Sequence, residues 1–311
     1  MKIAFFSSDA ISINALEFLK QEGLLACIVS NSDKPKGRGK ALSPNAVSQW
    51  ALNNNIKLLR PEKVLTDVFF DEVKDVDLFL VMAYGNILKE RALNFPKLGC
   101  LNLHASLLPK LRGASPIETA IALGYKQTGC CLMQMEKTMD TGAVGVVEYV
   151  DISNQDTGQS LREKISLSAK SILEKNLEDI KNQKVIFVPQ EHSNATYARK
   201  LNKNDMFLDF RKSASELDSR IRAFGAGLFE YNNEVIKVLK ASVVDCVHSF
   251  ELGKVIQGKD FLKVYTKDSY LFVEILQRPC QKALAVTEFL CGFNFEDNTI
   301  LKYFDNAPLL K

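Results

Sequence analysis

Tryptophan occurs once and histidine three times in 311 residues, and the seven cysteines are odd in number and form no C-x-x-C pair. The cysteine pattern therefore suggests neither a disulfide framework nor a thiolate zinc site. The cysteines are expected to be reduced, mostly buried and no more than small hydrophobic residues. No run of about 18 apolar residues occurs, so no transmembrane helix is expected. The start, Met1-Lys2-Ile3-Ala4-Phe5-Phe6, leads directly into strand and helix patterns without a cleavable signal, and the expected location is the cytoplasm. H-E-x-x-H, P-loop and G-x-S-x-G motifs are all missing. An excess of either sign of charge is also lacking: a net +3 does not mark a nucleic-acid protein by itself, so any polyanion must be met by local patches. What is present, 46% hydrophobic and 25% charged residues, describes a globular chain long enough for two domains.

Up to about residue 189, short apolar runs alternate with amphipathic stretches. This is the pattern of a Rossmann-like, doubly wound, mostly parallel sheet covered by helices on both faces. Strands are expected at Lys2 to Ser7, Leu25 to Val29, Ile56 to Leu59, Val76 to Ala83, Gly99 to Ala105, Cys130 to Met135 and Val144 to Asp151. Helices are expected at Ile11 to Gln21, from Ser43-Pro44 to about Asn53, at Pro116 to Leu123 and at Asp156 to Lys181. Residues 190–206 read as a polar, basic connection between domains. Residues 207–311 carry a helix at Ala214 to Phe224 and several short strands, which fits a compact OB-like β-barrel.

The most informative stretch is Asn102-Leu103-His104-Ala105-Ser106-Leu107-Leu108-Pro109, with Met139-Asp140-Thr141-Gly142 further on. On a strand, Asn102 and His104 share one face, so an amide donor and an imidazole address one centre. With the Asp140 carboxylate nearby, the trio suits acyl transfer: the amide steadies an oxyanion, the imidazole moves a proton, and the acid orients it. An Asn-x-His at a strand end also occurs as a plain hydrogen-bonded pair, so the spacing by itself leaves both readings open. The Ser106 to Pro109 turn frees backbone groups for a flat, amide-rich ligand edge, and Tyr84-Gly85-Asn86-Ile87 lies on the same rim. Arg112-Gly113 suits support of the turn or an anion contact. His192 and His248 lack ligand-spaced partners and are read as surface residues, and Cys130-Cys131 as core.

Lys34, Lys36, Arg38 and Lys40, among prolines and glycines, form a basic loop able to follow a phosphate backbone or simply to lie in solvent. Arg199, Lys200 and Lys203 form a second basic cluster in the connection, whereas the tail beyond it is nearly neutral.

Taken together, Asn102-x-His104, Ser106-Leu-Leu-Pro-x-x-Arg-Gly-x-x-Pro116-Ile117 and Met139-Asp140-Thr141-Gly142 resemble the folate-dependent formyltransferases. Gly37-Arg38-Gly39-Lys40, Thr196-Tyr197-Ala198 and Ile221-Arg222-Ala223-Phe224 extend the likeness to the tRNA-acting branch. The resemblance implies a formyltransferase fold and transfer of formyl from 10-formyltetrahydrofolate to the amine of methionine on initiator tRNA, without a metal, by a monomer. It implies that Asn102, His104 and Asp140 are catalytic. Tyr84, Gly85, Asn86, Ile87, Ser106, Leu107, Leu108 and Pro109 would hold the pterin, and Lys34, Lys36, Arg38, Lys40, Arg199, Lys200 and Lys203 the tRNA. Alternatives are a formyltransferase acting on a small amine, a catalytically silent RNA-binding relative and a hydrolase releasing formate. The chain departs from the family pattern at Ser7-Ser8-Asp9-Ala10 and at Gly225-Ala226-Gly227-Leu228.

Overall fold

The computed structural model describes residues 1–36, 41–61 and 65–311. Along the chain run β1 (Ile3–Phe6), α1 (Ile13–Gln21), β2 (Leu25–Val29), the small pair β3 (Lys34–Lys36) and β4 (Ala41–Ser43), α2 (Ala46–Asn53), β5 (Leu58–Leu59) and α3 (Asp67–Glu72). They are followed by β6 (Leu78–Val81), α4 (Glu90–Leu93), β7 (Cys100–His104), β8 (Arg112–Gly113), α5 (Pro116–Ala122), β9 (Gln127–Gln134), β10 (Val144–Asp151) and α6 (Gly158–Lys181). The tail holds β11 (Tyr197–Ala198), α7 (Ala214–Phe224), β12 (Gly227–Tyr231), β13 (Glu234–Asp245), β14 (Val255–Gln257), β15 (Leu262–Tyr265), β16 (Ser269–Gln277), β17 (Leu284–Ala285) and α8 (Val286–Leu290).

Two compact units emerge, one of residues 1–114, 127–151 and 162–197, the other of residues 115–126, 152–161 and 198–311. Two stretches expected in the first domain, 115–126 and 152–161, therefore group with the tail. Neighbourhood along the chain did not reveal that α5 packs on α7.

The first unit is built on a seven-stranded sheet in the order β10-β9-β7-β6-β1-β2-β5, parallel except for β9, which runs antiparallel to both β7 and β10. Every residue of β1 and of β6 is buried, which is why both read as unbroken apolar runs. On one face Phe6 packs tilted against Phe79 and edge-on against Tyr84, with ring centroids 4.9 and 5.4 Å away. Burying one such ring stabilises the fold by about 2–3 kcal/mol. After β1 the chain builds outward through β2 and β5, then returns to place β6 on the other side of β1. The crevice outside the carboxyl ends of β1 and β6 is thus the topological switch point, with β7 next to it.

Helix α2 begins later than its Ser43-Pro44 signal. Asn45 is the cap, its Oδ1 accepting the Ser48 N–H at 2.9 Å, and Ser43 ends β4 instead. Helix α3 carried too short a pattern to be expected, yet it buries Phe69 and Phe70.

In the second unit β12-β13-β16-β15-β14 form a curled antiparallel sheet, a half-barrel, with β17 added beside β16. Helix α7 starts in a capping box of Ser213 and Glu216 and stops at Gly225, whose φ of 74° is left-handed. Its Leu217 and Ile221 pack among Phe229, Ile236 and Val238 of the sheet. The Gly225-Ala226-Gly227 departure has a structural reason here. A Cβ on Gly227 would stand 2.6 Å from Leu208 Cδ2 and 2.8 Å from Ile221 Cγ1, so glycine admits β12 against the helix. No helix among the described residues is long and apolar enough to cross a membrane.

Candidate active site

Strand β7 delivers Asn102 and His104 to the carboxyl edge of the sheet on one face, as alternate residues of a strand must. His104 is buried, and its Nε2 lies 3.2 Å from the Leu111 carbonyl oxygen. A carbonyl only accepts, so the hydrogen belongs on Nε2, and Nδ1 is the nitrogen that faces Asp140 Oδ1 at 3.7 Å. The other carboxylate oxygen of Asp140, Oδ2, accepts the Gly113 N–H at 2.8 Å. One oxygen therefore anchors the side chain while the other addresses the imidazole. Asn102 is half-buried, and its side-chain amide has no hydrogen-bond partner among the described residues. The structure thus brings His104 and Asp140 together from positions far apart in sequence, beside a free amide donor.

Both supporting segments hold unusual backbone. Leu111 (φ 57°) and Asp140 (φ 55°) are left-handed without being glycine, a state that costs of order 1 kcal/mol or more each unless the surroundings impose it. For Leu111 the imposition comes from Thr196, whose Oγ1 accepts the Leu111 N–H at 2.9 Å and whose carbonyl accepts the Arg112 N–H at 2.8 Å. For Asp140 it comes from Gln190, whose Nε2 donates to the Asp140 carbonyl at 2.9 Å and to the Gly142 carbonyl at 2.7 Å. Arg112, 1% exposed, donates from Nε and Nη2 to Gln190 Oε1 at 3.1 and 2.7 Å and from Nη1 to the Tyr197 hydroxyl at 3.1 Å. Arg112 Nη2 also lies 3.1 Å from His192 Nδ1. Arg112 is a support, as one of its two sequence readings held. His192, read as an idle surface residue, touches it. Gln190 was missed, and Thr196, quoted only within the Thr196-Tyr197-Ala198 likeness, was given no role, because both lie in a polar segment that reads as a connection and no periodicity marks them.

The expected ligand rim is more mixed. Ser106 is fully buried, its Oγ donating to the Lys110 carbonyl at 2.6 Å, and Leu107, Leu108 and Pro109 are half-buried. The Ser106 carbonyl accepts from Cys131 Sγ at 3.0 Å, and burial pushes that thiol up to about 11, consistent with Cys131 as core. Tyr84 departs from its expected role as a pocket wall: its ring is 4% exposed and packs on Phe6, because it sits where the buried strand β6 ends. Its carbonyl instead accepts Asn31 Nδ2 at 2.8 Å, and Asn86 Nδ2 reaches Asn31 Oδ1 at 2.6 Å, which ties the ends of β2 and β6 together. Gly85 is left-handed (φ 78°), and Ile87 is 73% exposed on the rim. At the end of β1, Asp9 accepts the Ile11 N–H at 3.0 Å and pairs with Arg162.

Of the basic residues, Arg38 and Lys40 lie outside the described residues, and Lys34 and Lys36 are described only as backbone of β3 paired with β4. Lys200 and Lys203 are exposed. Arg199 departs from expectation, since its guanidinium is engaged within the chain. It binds Asp205 through Nη1 at 2.9 Å and through Nη2, and donates from Nε to the Pro308 carbonyl at 2.7 Å. Burial pushes the Asp205 carboxyl up, but the Arg199 guanidinium and the Asn202 N–H outweigh it and hold the group below the ordinary carboxylate range. Arg199 is thus held to Asp205 and to the Pro308 carbonyl.

The fold is that of a formyl-transferring enzyme. Residues 1–177 match the formyl transferase family and residues 200–294 its C-terminal domain. The methionyl-tRNA formyltransferase of Clostridioides difficile (strain 630) is 34% identical over 308 residues, covering 97% of this chain and 100% of that protein. That of Sulfurihydrogenibium sp. (strain YO3AOP1) is 32% identical over 305 residues, covering 95% and 98%. Among solved structures, a sugar 3N-formyl transferase crystallised with dTDP and 5-N-formyl-THF aligns with TM-score 0.67 at 21% identity over 91% of this chain and 99% of its own. That likeness shows the shared fold. The chain belongs to the methionyl-tRNA formyltransferase branch of the formyl transferase family.

Proposed function

We propose that this protein transfers the formyl group of 10-formyltetrahydrofolate to the α-amine of methionine esterified to initiator tRNA. The observation that carries the reading is His104, held between the Leu111 carbonyl and Asp140 at the end of β7, with the Asn102 amide, unpartnered among the described residues, on the same strand face. Near one-third identity over almost the whole length to proteins named methionyl-tRNA formyltransferase supports this choice of acceptor.

The neutral amine attacks the formyl carbon, a new C–N bond forms, and the carbonyl π pair moves to oxygen. Asn102 donates to that oxyanion, and a proton on His104 Nδ1 stabilises it in a site where burial of the imidazole strengthens the interaction. Asp140 balances the imidazolium charge across 3.7 Å. The intermediate collapses by breaking the bond from carbon to the folate nitrogen, which takes up a proton as the amine gives one up. His104, Asp140 and a water share that transfer. The Ser106 to Pro109 turn and the Gly85 to Ile87 rim would hold the pterin edge. Arg38, Lys34, Lys36, Lys40, Lys200 and Lys203 would meet the tRNA backbone. The protein works in the cytoplasm as a monomer.

The test combines purified protein, 10-formyltetrahydrofolate and charged initiator tRNA, and measures formylmethionine released from the tRNA. Formylated product is expected. Its complete lack, or formate released without acceptor, refutes the reading.

A further inference from the structure

All four hydrogen-bonding positions of the Gln190 amide are occupied, although the residue opens a segment that looks solvent-facing in sequence. Two donors go to the carbonyls of Asp140 and Gly142 at 2.9 and 2.7 Å, and the acceptor oxygen takes both Nε and Nη2 of Arg112 at 3.1 and 2.7 Å. A guanidinium only donates and a carbonyl only accepts, so this is the one orientation of the amide that satisfies every partner. The residue is 8% exposed and Arg112 1% exposed, which places a full positive charge in the interior against an amide, a phenol and an imidazole. A carboxylate at position 190 would answer that charge directly, but it could not donate to the turn. The donors aim at the two residues that flank Thr141, and one of these is the left-handed Asp140.

We propose that Gln190 is a positioning residue for formyl transfer. Oriented by Arg112, its amide fixes the Asp140 turn so that Oδ1 faces Nδ1 of His104. The inference rests on the reading of His104 and Asp140 given above. Gln190 acts through the backbone of Asp140 and does not touch the reacting atoms. Its loss lets Asp140 relax out of its left-handed state and away from the imidazole, which costs rate while leaving tRNA binding in place.

The experiment uses the full chain with Gln190→Glu, which keeps an acceptor for Arg112 and removes both donations, and Gln190→Met, which removes everything at similar length. Formylation of charged initiator tRNA is followed at saturating formyl donor, with the folded fraction of each variant checked by circular dichroism. Expected is a fall in kcat of about 10- to 100-fold in both, with KM for tRNA within about threefold of wild type. In an Asp140→Asn background, Gln190→Met should lower kcat by less than about twofold more, because the group it positions is already disabled. Undiminished kcat in either folded Gln190 variant overturns the proposal, as do additive losses in the double variant. Failure of both variants to fold assigns Gln190 a purely structural role and also overturns it. An inactive wild type overturns the functional reading itself, whereas an active wild type with unimpaired Gln190 variants overturns the positioning role alone.

Discussion

Gly142 lies two residues after Asp140 and touches the opposing strand so closely that an ideal Cβ there would sit 2.0 Å from the Gln134 carbonyl oxygen and 2.9 Å from its carbon. A carbon normally approaches a carbonyl oxygen no closer than about 3.3 Å, so Gly142→Ala must part the two backbones by more than about 1 Å. The obstacle is backbone within a ladder, not the end of a flexible side chain. Parting it stretches the Gln134 N–H to Ala143 carbonyl bond of 2.9 Å and the Gln190 contact to the Gly142 carbonyl of 2.7 Å. About 1 kcal/mol for a lost backbone hydrogen bond and about 1–3 kcal/mol for overpacking give an expected loss of roughly 2–4 kcal/mol. The same shift carries Asp140 with it, and a 1 Å misplacement of a reacting group costs up to about 100-fold in rate. Gly23→Ala is the control. Gly23 is also rigidly placed, with φ of 66°, but nothing lies within 4 Å of an added Cβ. Only the left-handed conformation is charged there, about 1–2 kcal/mol, with kcat unchanged. Urea unfolding and formylation rates per folded molecule compare the two variants. A Gly142→Ala protein as stable as Gly23→Ala and as fast as wild type would refute the contact argument.

Acid should unfold the second unit through its depressed carboxylates. Asp205, held low by Arg199 against the effect of burial, and Asp209, held low by Arg211 against the same effect, both bind protons more readily unfolded than folded. Their contribution is therefore complete above the ordinary carboxylate value of about 4 and is lost as pH falls through the lower folded values. In Arg199→Met the burial of Asp205 is opposed only by the Asn202 N–H and the Arg220 charge, so the stability measured by urea unfolding should fall less between about pH 5 and 3 than in wild type, approximate bounds set by ordinary carboxylate titration. An unchanged slope of stability against pH counts against the Arg199–Asp205 assignment. Arg38→Ala should raise KM for charged tRNA at low salt and have a smaller effect at high salt, since a phosphate contact is screened by added ions. Equal KM values at low salt would return the basic run to a solvated loop.

The first unit was legible wherever one strand or helix suffices to bury its own pattern. β1, β2, β6, β7 and β10 fell close to their apolar runs, and in the second unit α7 matched its expected span of Ala214 to Phe224, because period is a local property of the chain. Helix α2 starts later than the Ser43-Pro44 signal because Asn45 makes the capping bond to Ser48 and a further bond to Ser30, partners that the local sequence does not specify. Tyr84 was placed on the rim by its position after a strand, although the face on which a ring lies at a strand end is decided by the neighbours it meets, here Phe6.

The sequence by itself determined the chemistry that is available: an amide and an imidazole two residues apart on a strand, a carboxylate in a glycine turn, and basic residues for a polyanion. Those features are spelled by residue type and short spacing, which survive without a structure. Only the tertiary structure decided that Nδ1 of His104 faces Asp140, that Arg199 is taken by Asp205, and that Gln190 and Thr196 stand behind the site. Such relations join residues many positions apart, and their geometry comes from the packing of whole strands and turns. No local pattern in the chain encodes that geometry.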